Sequence, residues 1–504
     1  MSNLYAALQA ALLERSDAIV LETDARSWTG AELDRWSAQY AQALAQLGVR
    51  AGDRIAVQIE KSPNNVALYL AALRVGAIYV PLNTAYQPRE VKYFLTDAEP
   101  RVFVVAPERF ESLSSLAMRL GVAHTLTLGS RGDGSLPELV SRSASSFAVA
   151  PCDPNDLAVI CYTSGTTGRS KGAMISHENL LSNARTLVRE WGFTADDVLL
   201  HALPLYHIHG LFVALHVALL SGARIVLHAK FDPRAALSAL KRATVMMGVP
   251  TFYTRLLAEP SLDRESVRNV RLFISGSAPL LSETFDEFVV RTGHRILERY
   301  GMTETGMIAS NPLEGERRPG TVGPPLPEVM VRIAGEDGAR TPNGTIGSVE
   351  VKGPNVFQGY WRMPEKTAQE FRRDGYFITG DLGELDGEGY LRLVGRAKDM
   401  IISGGLNVYP KEIEELIDAI AGVDESAVFA IAHPDFGEAV AAAVTRKPGA
   451  TIEATEILEA LRPQLAGFKM PKRVYIVDEL PRNAMSKVQK AVLRERYKAE
   501  FATQ

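Results

Sequence analysis

The sequence predicts an α/β protein of two domains: a large N-terminal one of layered, mostly parallel sheets with helices outside, residues 1–396, and a small α+β C-terminal one, residues 397–504. Three observations carry that prediction. At 504 residues the chain is too long for one ordinary hydrophobic core. From its start to about residue 151, short apolar runs alternate with helix-period stretches, as parallel sheet layers covered by helices require. A tight charged linker, Gly395-Arg396-Ala397-Lys398-Asp399, then precedes a shorter set of helix and strand patterns.

The first strong local signal is Thr29 with Glu32, a capping box, followed by the apolar stripe Leu33, Trp36, Tyr40, Leu44 and Leu47 at spacings of three and four. Gly48 closes that helix. Residues 55–59 read as a strand, 66–73 as a helix, and 78–81 and 102–105 as further strands, none carrying evident chemistry. Residues 157–161 are a buried strand leading into a Gly/Ser/Thr loop, and a helix opens near Ser176. Residues 247–255 read as a strand end turning into a helix, and 274–280 as a strand running into a Gly/Ser turn. In the C-terminal part, 411–419 is an amphipathic helix, with strands at 425–432 and 439–445.

Bulk properties exclude several classes. The chain is 46% hydrophobic and 23% charged, as soluble globular proteins are, and a net charge of −4 makes no electrostatic case for nucleic acid or an anionic membrane as the main partner. Cys152 and Cys161 are the only cysteines, with no metal-ligand spacing, which fits a reducing cytoplasm rather than a disulfide framework. Residues 1–16 contain Glu14 and lack a basic region followed by an apolar core, so no secretory signal is expected. The most apolar stretch, 211–220, contains His216 and is too short to span a bilayer.

The most informative stretch is Tyr162-Thr163-Ser164-Gly165-Thr166-Thr167-Gly168-Arg169-Ser170-Lys171-Gly172. Three glycines let the backbone approach an anion closely, while five Ser/Thr hydroxyls, the amides, Arg169 and Lys171 offer donors. A flexible linker is the competing reading, yet linkers seldom hold two cations at a strand end. The Walker pattern fails, because Ser170 precedes Lys171 and Gly172 follows it.

This loop resembles the phosphate loop of the adenylate-forming superfamily of acyl-CoA synthetases, peptide-synthetase adenylation domains and firefly-type luciferases. The resemblance extends over further motifs in the same order, to residue 487. It implies ATP, Mg²⁺ and coenzyme A as cosubstrates and cofactor, with Thr163 to Gly168 and Lys171 at the phosphates and Thr166 beside the metal. In Pro204-Leu205-Tyr206-His207-Ile208-His209-Gly210, it implies that His207 lines the acyl pocket; satisfied core histidines are the plainer reading. It sets Gly276, Ser277 and Ala278 against adenine. In Glu298-Arg299-Tyr300-Gly301-Met302-Thr303-Glu304, it has Glu298, Tyr300 and Gly301 at the nucleotide, Tyr300 stacking on adenine, Thr303 on the α-phosphate and Glu304 on Mg²⁺, which needs few protein carboxylates. The same resemblance implies that Asp381, read as an Asp at a strand end, and Arg396 meet the ribose, and that Lys398 sits where the family has the hinge of a mobile C-terminal domain. It also implies that Ser403, Gly404 and Gly405 admit the pantetheine arm and that Lys487, which matches the family's motif, is the adenylating lysine, although Ser486 stands where the family usually has Gly.

Within the superfamily the chain is most similar to the malonyl-CoA synthetases, through stretches such as Pro81-Leu82-Asn83-Thr84-Ala85-Tyr86 and Gly248-Val249-Pro250-Thr251-Phe252-Tyr253. Arg255 stands two residues beyond the latter and is expected to pair with a second substrate carboxylate; a solvated helix face is the alternative for any such arginine. Ile208 stands where those enzymes usually have Thr, and Gly306 and Ile308, either side of Met307, where they have Asn. With three polar groups lost at the acyl pocket and Arg255 kept, the expected substrate is a small dicarboxylate, malonate or a more apolar substituted malonate such as methylmalonate. The alternatives are another short or aryl acid, a stand-alone enzyme loading a carrier protein, and a non-catalytic binder. A monomer or weak homo-oligomer, without nucleic-acid or membrane partners, is expected.

Overall fold

In the computed structural model, which describes residues 3–163, 170–403, 406–433, 437–465, 467–483 and 487–501, the capping box at Thr29 is formed. Thr29 Oγ1 accepts from the Glu32 amide at 3.2 Å and Glu32 Oε2 accepts from the Thr29 amide at 2.8 Å, satisfying two of the donors that a helix start leaves open. The helix runs Gly30–Gln46 and Gly48 follows in the left-handed region at φ +75°. The expected 66–73 helix starts earlier, Pro63–Val75, because Ser62 caps it and Pro63 fits its first turn. Ser176 and Asn179 cap one another at the start of His177–Glu190.

Two units emerge from the internal contacts: Met1–Met330 with Val351–Phe377, and Val331–Glu350 with Ile378–Gln504. The first holds a six-stranded sheet in the order His124–Thr127, Val102–Val105, Arg54–Gln58, Ile78–Pro81, Leu157–Thr163, Lys171–Ser176, parallel but for the last pair. It also holds an eight-stranded sheet, ordered Gly306–Ser310, Leu297–Met302, Leu272–Ser275, Val245–Gly248, Val198–His201, Arg224–Leu227, Ile19–Glu22, Ser27–Thr29, parallel except at both edges. The parallel strands are buried, as continuous Val/Ile/Leu runs require. Four of them, ending at Thr163, Gly248, Ser275 and Met302, lead directly into the motif segments, and the carboxyl ends of parallel strands are where open α/β sheets bind ligands. The apolar stretch 211–220 is a buried π-helical turn, His209–Ala214, continuing into the helix Leu215–Ser221. Among the described residues no helix is long and apolar enough to cross a membrane.

The second unit carries most of a four-stranded sheet, Met330–Ala334, Gly347–Lys352, Phe377–Leu385 and Leu391–Arg396. It also carries a sheet built on the long antiparallel pair Val423–His433 and Gly437–Arg446, with Ile401–Ser403, Leu406–Val408 and Arg473–Ile476. Helices Pro410–Asp418, Ala454–Leu461 and Lys490–Tyr497 complete it. The boundary expected at 396/397 falls inside this unit, between the Leu391–Arg396 strand and the 3-10 turn Ala397–Asp399. Asp381 corrects its expectation: it stands mid-strand in Phe377–Leu385, because Gly380 absorbs a left-handed φ of +73° without ending the strand.

Candidate active site

Ser164, Gly165, Thr166, Thr167 and Gly168 lie outside the described residues, but both ends of their loop are held in register. Thr163 closes one strand and Lys171 opens the next, opposite each other in the antiparallel pair. Thr163 Oγ1 reaches Glu304 Oε1 at 3.4 Å, and Glu304 is buried. Two residues that sequence reasoning passed over complete the group. Tyr360 sets its hydroxyl 3.1 Å from Glu304 Oε1 and 2.6 Å from Glu370 Oε2. Lys171 lies over the Tyr360 ring, 4.1 Å from its centroid, and its ammonium pairs with Glu370 at 3.0 Å. The lysine expected to offer its charge to phosphate is thus engaged by a carboxylate. Burial works against the ionised Glu370, but bonds from Tyr360, Lys366 and Lys171 outweigh it and hold its pKa below the ordinary value. Burial, with the charges of Glu304 and Glu370, drives the Tyr360 phenol well above its ordinary range, so it acts as a neutral donor.

The central motif folds as a hairpin, Leu297–Met302 against Gly306–Ser310, with Thr303 and Glu304 in its turn. Glu298 and Tyr300 are buried on the first strand. Gly301 must be glycine, because a Cβ there would stand 2.1 Å from the Gly306 carbonyl oxygen. Gly306 adopts φ +58°, and a Cβ would meet Asn183 Oδ1 at 2.7 Å, the atom that accepts from the Met307 amide at 3.0 Å. Ile208, Thr303 and Gly306 line one small pocket with Asn183, Phe212 and Val213. Ile308 is buried on the second strand and is not among those lining residues.

The residue between Glu298 and Tyr300 has the least ordinary surroundings. Arg299 is 3% exposed, and its Nε and Nη2 have no hydrogen-bond partner among the described residues. Its guanidinium lies against the Gly276 backbone, where a Cβ would come within 2.5 Å of it. Burial pushes its pKa down to about 9, with Tyr253 opposing in part. Nearby, His209 Nδ1 sits 3.3 Å from Ser277 Oγ, while His209 Nε2 and Ser275 Oγ have no partner among the described residues. Burial, then the Arg299 charge, holds His209 neutral. Ser277 itself takes a left-handed φ of +73°, and Ala278 beyond it is exposed. His207 is half-buried, and its Nδ1 accepts from the His209 amide at 3.3 Å. Arg255 stands exposed on the helix Pro250–Leu257. One sequence signal pointed at Arg299: a charged residue inside a short strand with Leu297 and Tyr300 around it.

In the second unit Asp381 and Arg396 are register partners on adjacent strands and form an ion pair of 2.8 Å. Lys398 is exposed in the turn that follows, and Ser403 is buried at a strand end. Gly404, Gly405 and Ser486 lie outside the described residues. Lys487 is exposed; its amide donates to Asn483 Oδ1 at 3.0 Å and its carbonyl accepts from the Asn483 amide at 2.9 Å.

With this geometry in hand, the chain is assigned: it belongs to the AMP-binding enzyme family, whose model matches residues 8–361, while that of the AMP-binding enzyme C-terminal domain matches 412–487. It is an AMP-forming acyl-CoA ligase, and within that class it is like malonyl-CoA synthetase. ATP-bound MatB from Rhodopseudomonas palustris superposes with a TM-score of 0.97 at 54% identity over 99% of each chain. A malonate–CoA ligase of Arabidopsis thaliana is 34% identical over 88% of this chain and 78% of its own. A feruloyl-CoA synthase of an Amycolatopsis species is 36% identical over 93% of this chain and 94% of its own.

Proposed function

We propose that the enzyme activates a small dicarboxylate, malonate or a substituted malonate such as methylmalonate, as its acyl adenylate and transfers the acyl group to coenzyme A, releasing pyrophosphate and AMP. The observation that carries this reading is Arg299. A buried guanidinium with two nitrogens unpartnered among the described residues is costly to hold, and a second carboxylate on the substrate would relieve that cost by bidentate pairing. The unpartnered His209 Nε2 and Ser275 Oγ offer further polar atoms. An aryl acid such as ferulate brings no second charge to Arg299, so the reading favours the malonate ligases over the feruloyl-CoA synthase, whose identity of 36% is close to the 34% of the Arabidopsis malonate ligase. The role first given to Arg255 passes to Arg299, because an exposed guanidinium is already solvated and gains little from an ion pair.

In the first half-reaction a substrate carboxylate oxygen attacks the α-phosphorus of ATP, and negative charge gathers on the phosphoryl oxygens and pyrophosphate. Lys487, Thr303 and the loop donors, Thr163 among them, stabilise that charge. Glu304 suits a hard cation: it is a buried carboxylate beside the Thr163 hydroxyl, and such an ion takes its remaining oxygens from phosphates and waters. Mg²⁺ bound there would neutralise phosphate charge. The CoA thiol then displaces AMP, and Lys398 is the pivot between the half-reactions.

The test is CoA-thioester formation from malonate, methylmalonate, acetate and ferulate by the wild type, Arg299→Ala and Arg255→Ala. Arg299→Ala is expected to cost dicarboxylates about 3–5 kcal/mol in kcat/KM, the range for an abandoned buried charge partner. Arg255→Ala should change little. Preference of the wild type for acetate or ferulate would overturn the reading.

A further inference from the structure

The hairpin that carries Lys487 is tied down at both ends. Its stem is defined by Gln489 donating to the Pro481 carbonyl at 2.7 Å, the bridge between Arg482 and Val488, and the paired bonds between Asn483 and Lys487. Two cations, Arg482 on one of those rungs and Lys490 just beyond them, are each held by an acid of the same unit. Arg482 pairs with Glu425, on the strand Val423–His433. Lys490 pairs with Glu414, on the helix Pro410–Asp418, at 2.6 Å. Glu414 Oε1 also accepts from the Val428 amide at 2.7 Å, fixing the acid to that strand. Lys490 is the first residue of the helix Lys490–Tyr497, where the helix dipole disfavours a cation, so Glu414 compensates for that position.

We propose that Arg482 and Lys490 are positioning residues for Lys487: by clamping both ends of its hairpin to Glu425 and Glu414, they fix the backbone from which the catalytic ammonium extends. A lysine side chain is a long flexible stem, so its ammonium is only as well placed as its Cα. Misplacement by about 1 Å can cost 10²-fold in rate. Both ion pairs lie within one unit, so the clamp travels with Lys487 in whatever state the domain adopts.

This inference rests on the ligase reading above and on the role of Lys487 in it. Adenylation is therefore measured alone, as single-turnover pyrophosphate formation from ATP and malonate. Thioester formation is measured separately from prepared malonyl-AMP and CoA, with Lys487→Ala beside the clamp variants. Arg482→Ala and Lys490→Ala are expected to slow adenylation by about 10- to 100-fold while thioester formation stays within about twofold and the thermal midpoint moves little. Arg482→Lys should recover most of the rate, and Glu425→Gln should reproduce the Arg482→Ala defect. Equal loss in both half-reactions with a lowered midpoint would reduce the clamp to ordinary structural support, and undiminished adenylation in the clamp variants would overturn it. If Lys487→Ala itself adenylates normally, the reading of Lys487 fails instead.

Discussion

At the scale of single residues, the site is a set of buried polar groups whose partners decide their chemistry. Tyr360 is the best example: its hydroxyl oxygen lies 2.6 Å from Glu370 Oε2 and 3.1 Å from Glu304 Oε1, with one proton to share between them and the Lys171 ammonium over its ring. Removing the hydroxyl leaves the half-buried Glu370 with one donor fewer beside the buried Glu304. Tyr360→Phe is therefore expected to destabilise the protein by about 1–3 kcal/mol, measured by urea unfolding at pH 7, with adenylation reduced as well. A change below about 0.5 kcal/mol, less than a typical buried hydrogen bond, would mean that water replaces the hydroxyl. The segments that build this site were legible in the sequence as motifs; the orientation of their side chains was not. Arg255 and Arg299 both sit within motif segments, and spacing alone could not tell that one faces solvent while the other lies in a buried strand. Tyr360 and Glu370 escaped notice for a related reason: they come from a segment distant in sequence, brought to Glu304 only by tertiary folding. Gly306 was read as the loss of a polar side chain, whereas its φ of +58° and the nearness of Asn183 give it a backbone reason as well.

Elements were legible where local chemistry sets them. The capping box at Thr29, the helix opening read near Ser176 and the glycine after Leu47 marked helix ends, because each satisfies backbone groups within a few residues. Strand length was harder, and Asp381 fell mid-strand because a Gly-Asp pair reads as a turn unless the partner strand is known. The helix Pro410–Asp418 carries a local conflict with a measurable consequence. Its last residue, Asp418, puts a carboxylate at the negative end of the helix dipole. Glu414 and Lys411 face it from the same helix, Glu425 and Ser426 from the neighbouring strand, and its Oδ1 has no hydrogen-bond partner among the described residues. Burial, with the charges of Glu414 and Glu425 adding to it, lifts its pKa from 3.8 to about 7, while Ser426 and Lys411 pull the other way. A raised carboxyl pKa means that the folded state holds the proton more tightly than the unfolded chain. The associated stability is complete below about pH 4 and is lost as pH rises through about 7. Asp418→Asn, which never ionises, should therefore melt higher than the wild type at pH 8, with the advantage shrinking toward pH 5. Thermal unfolding across that range reads the difference directly, and a pH-independent offset would contradict the assignment.

For the whole molecule, the alternation of strand and helix made the two parallel sheets of the first unit readable, since each crossover needs its own helical stretch. The division of the chain was less readable, because a linker is recognised by composition whereas a unit is defined by contacts: residues 331–350 and 378–396 belong with the C-terminal segment by contact. The two descriptions make different demands on a fragment. Both hydrophobic clusters of the C-terminal region draw only on residues between Ile401 and Phe501: one joins Ile401, Val408, Ile413, Val428, Val444 and Leu461, the other Phe429, Ala441, Leu480, Leu493 and Phe501. The sheet they pack on is likewise drawn from residues beyond 400. A core complete within one continuous segment needs no strand from outside to exclude water. Residues 397–504 expressed alone are therefore expected to fold, with a cooperative thermal transition by circular dichroism and dispersed amide resonances. A collapsed fragment without cooperative unfolding would show that the strands Phe377–Leu385 and Leu391–Arg396 are needed to complete the fold. The contact-defined boundary, rather than the linker at Lys398, would then mark the true domain edge.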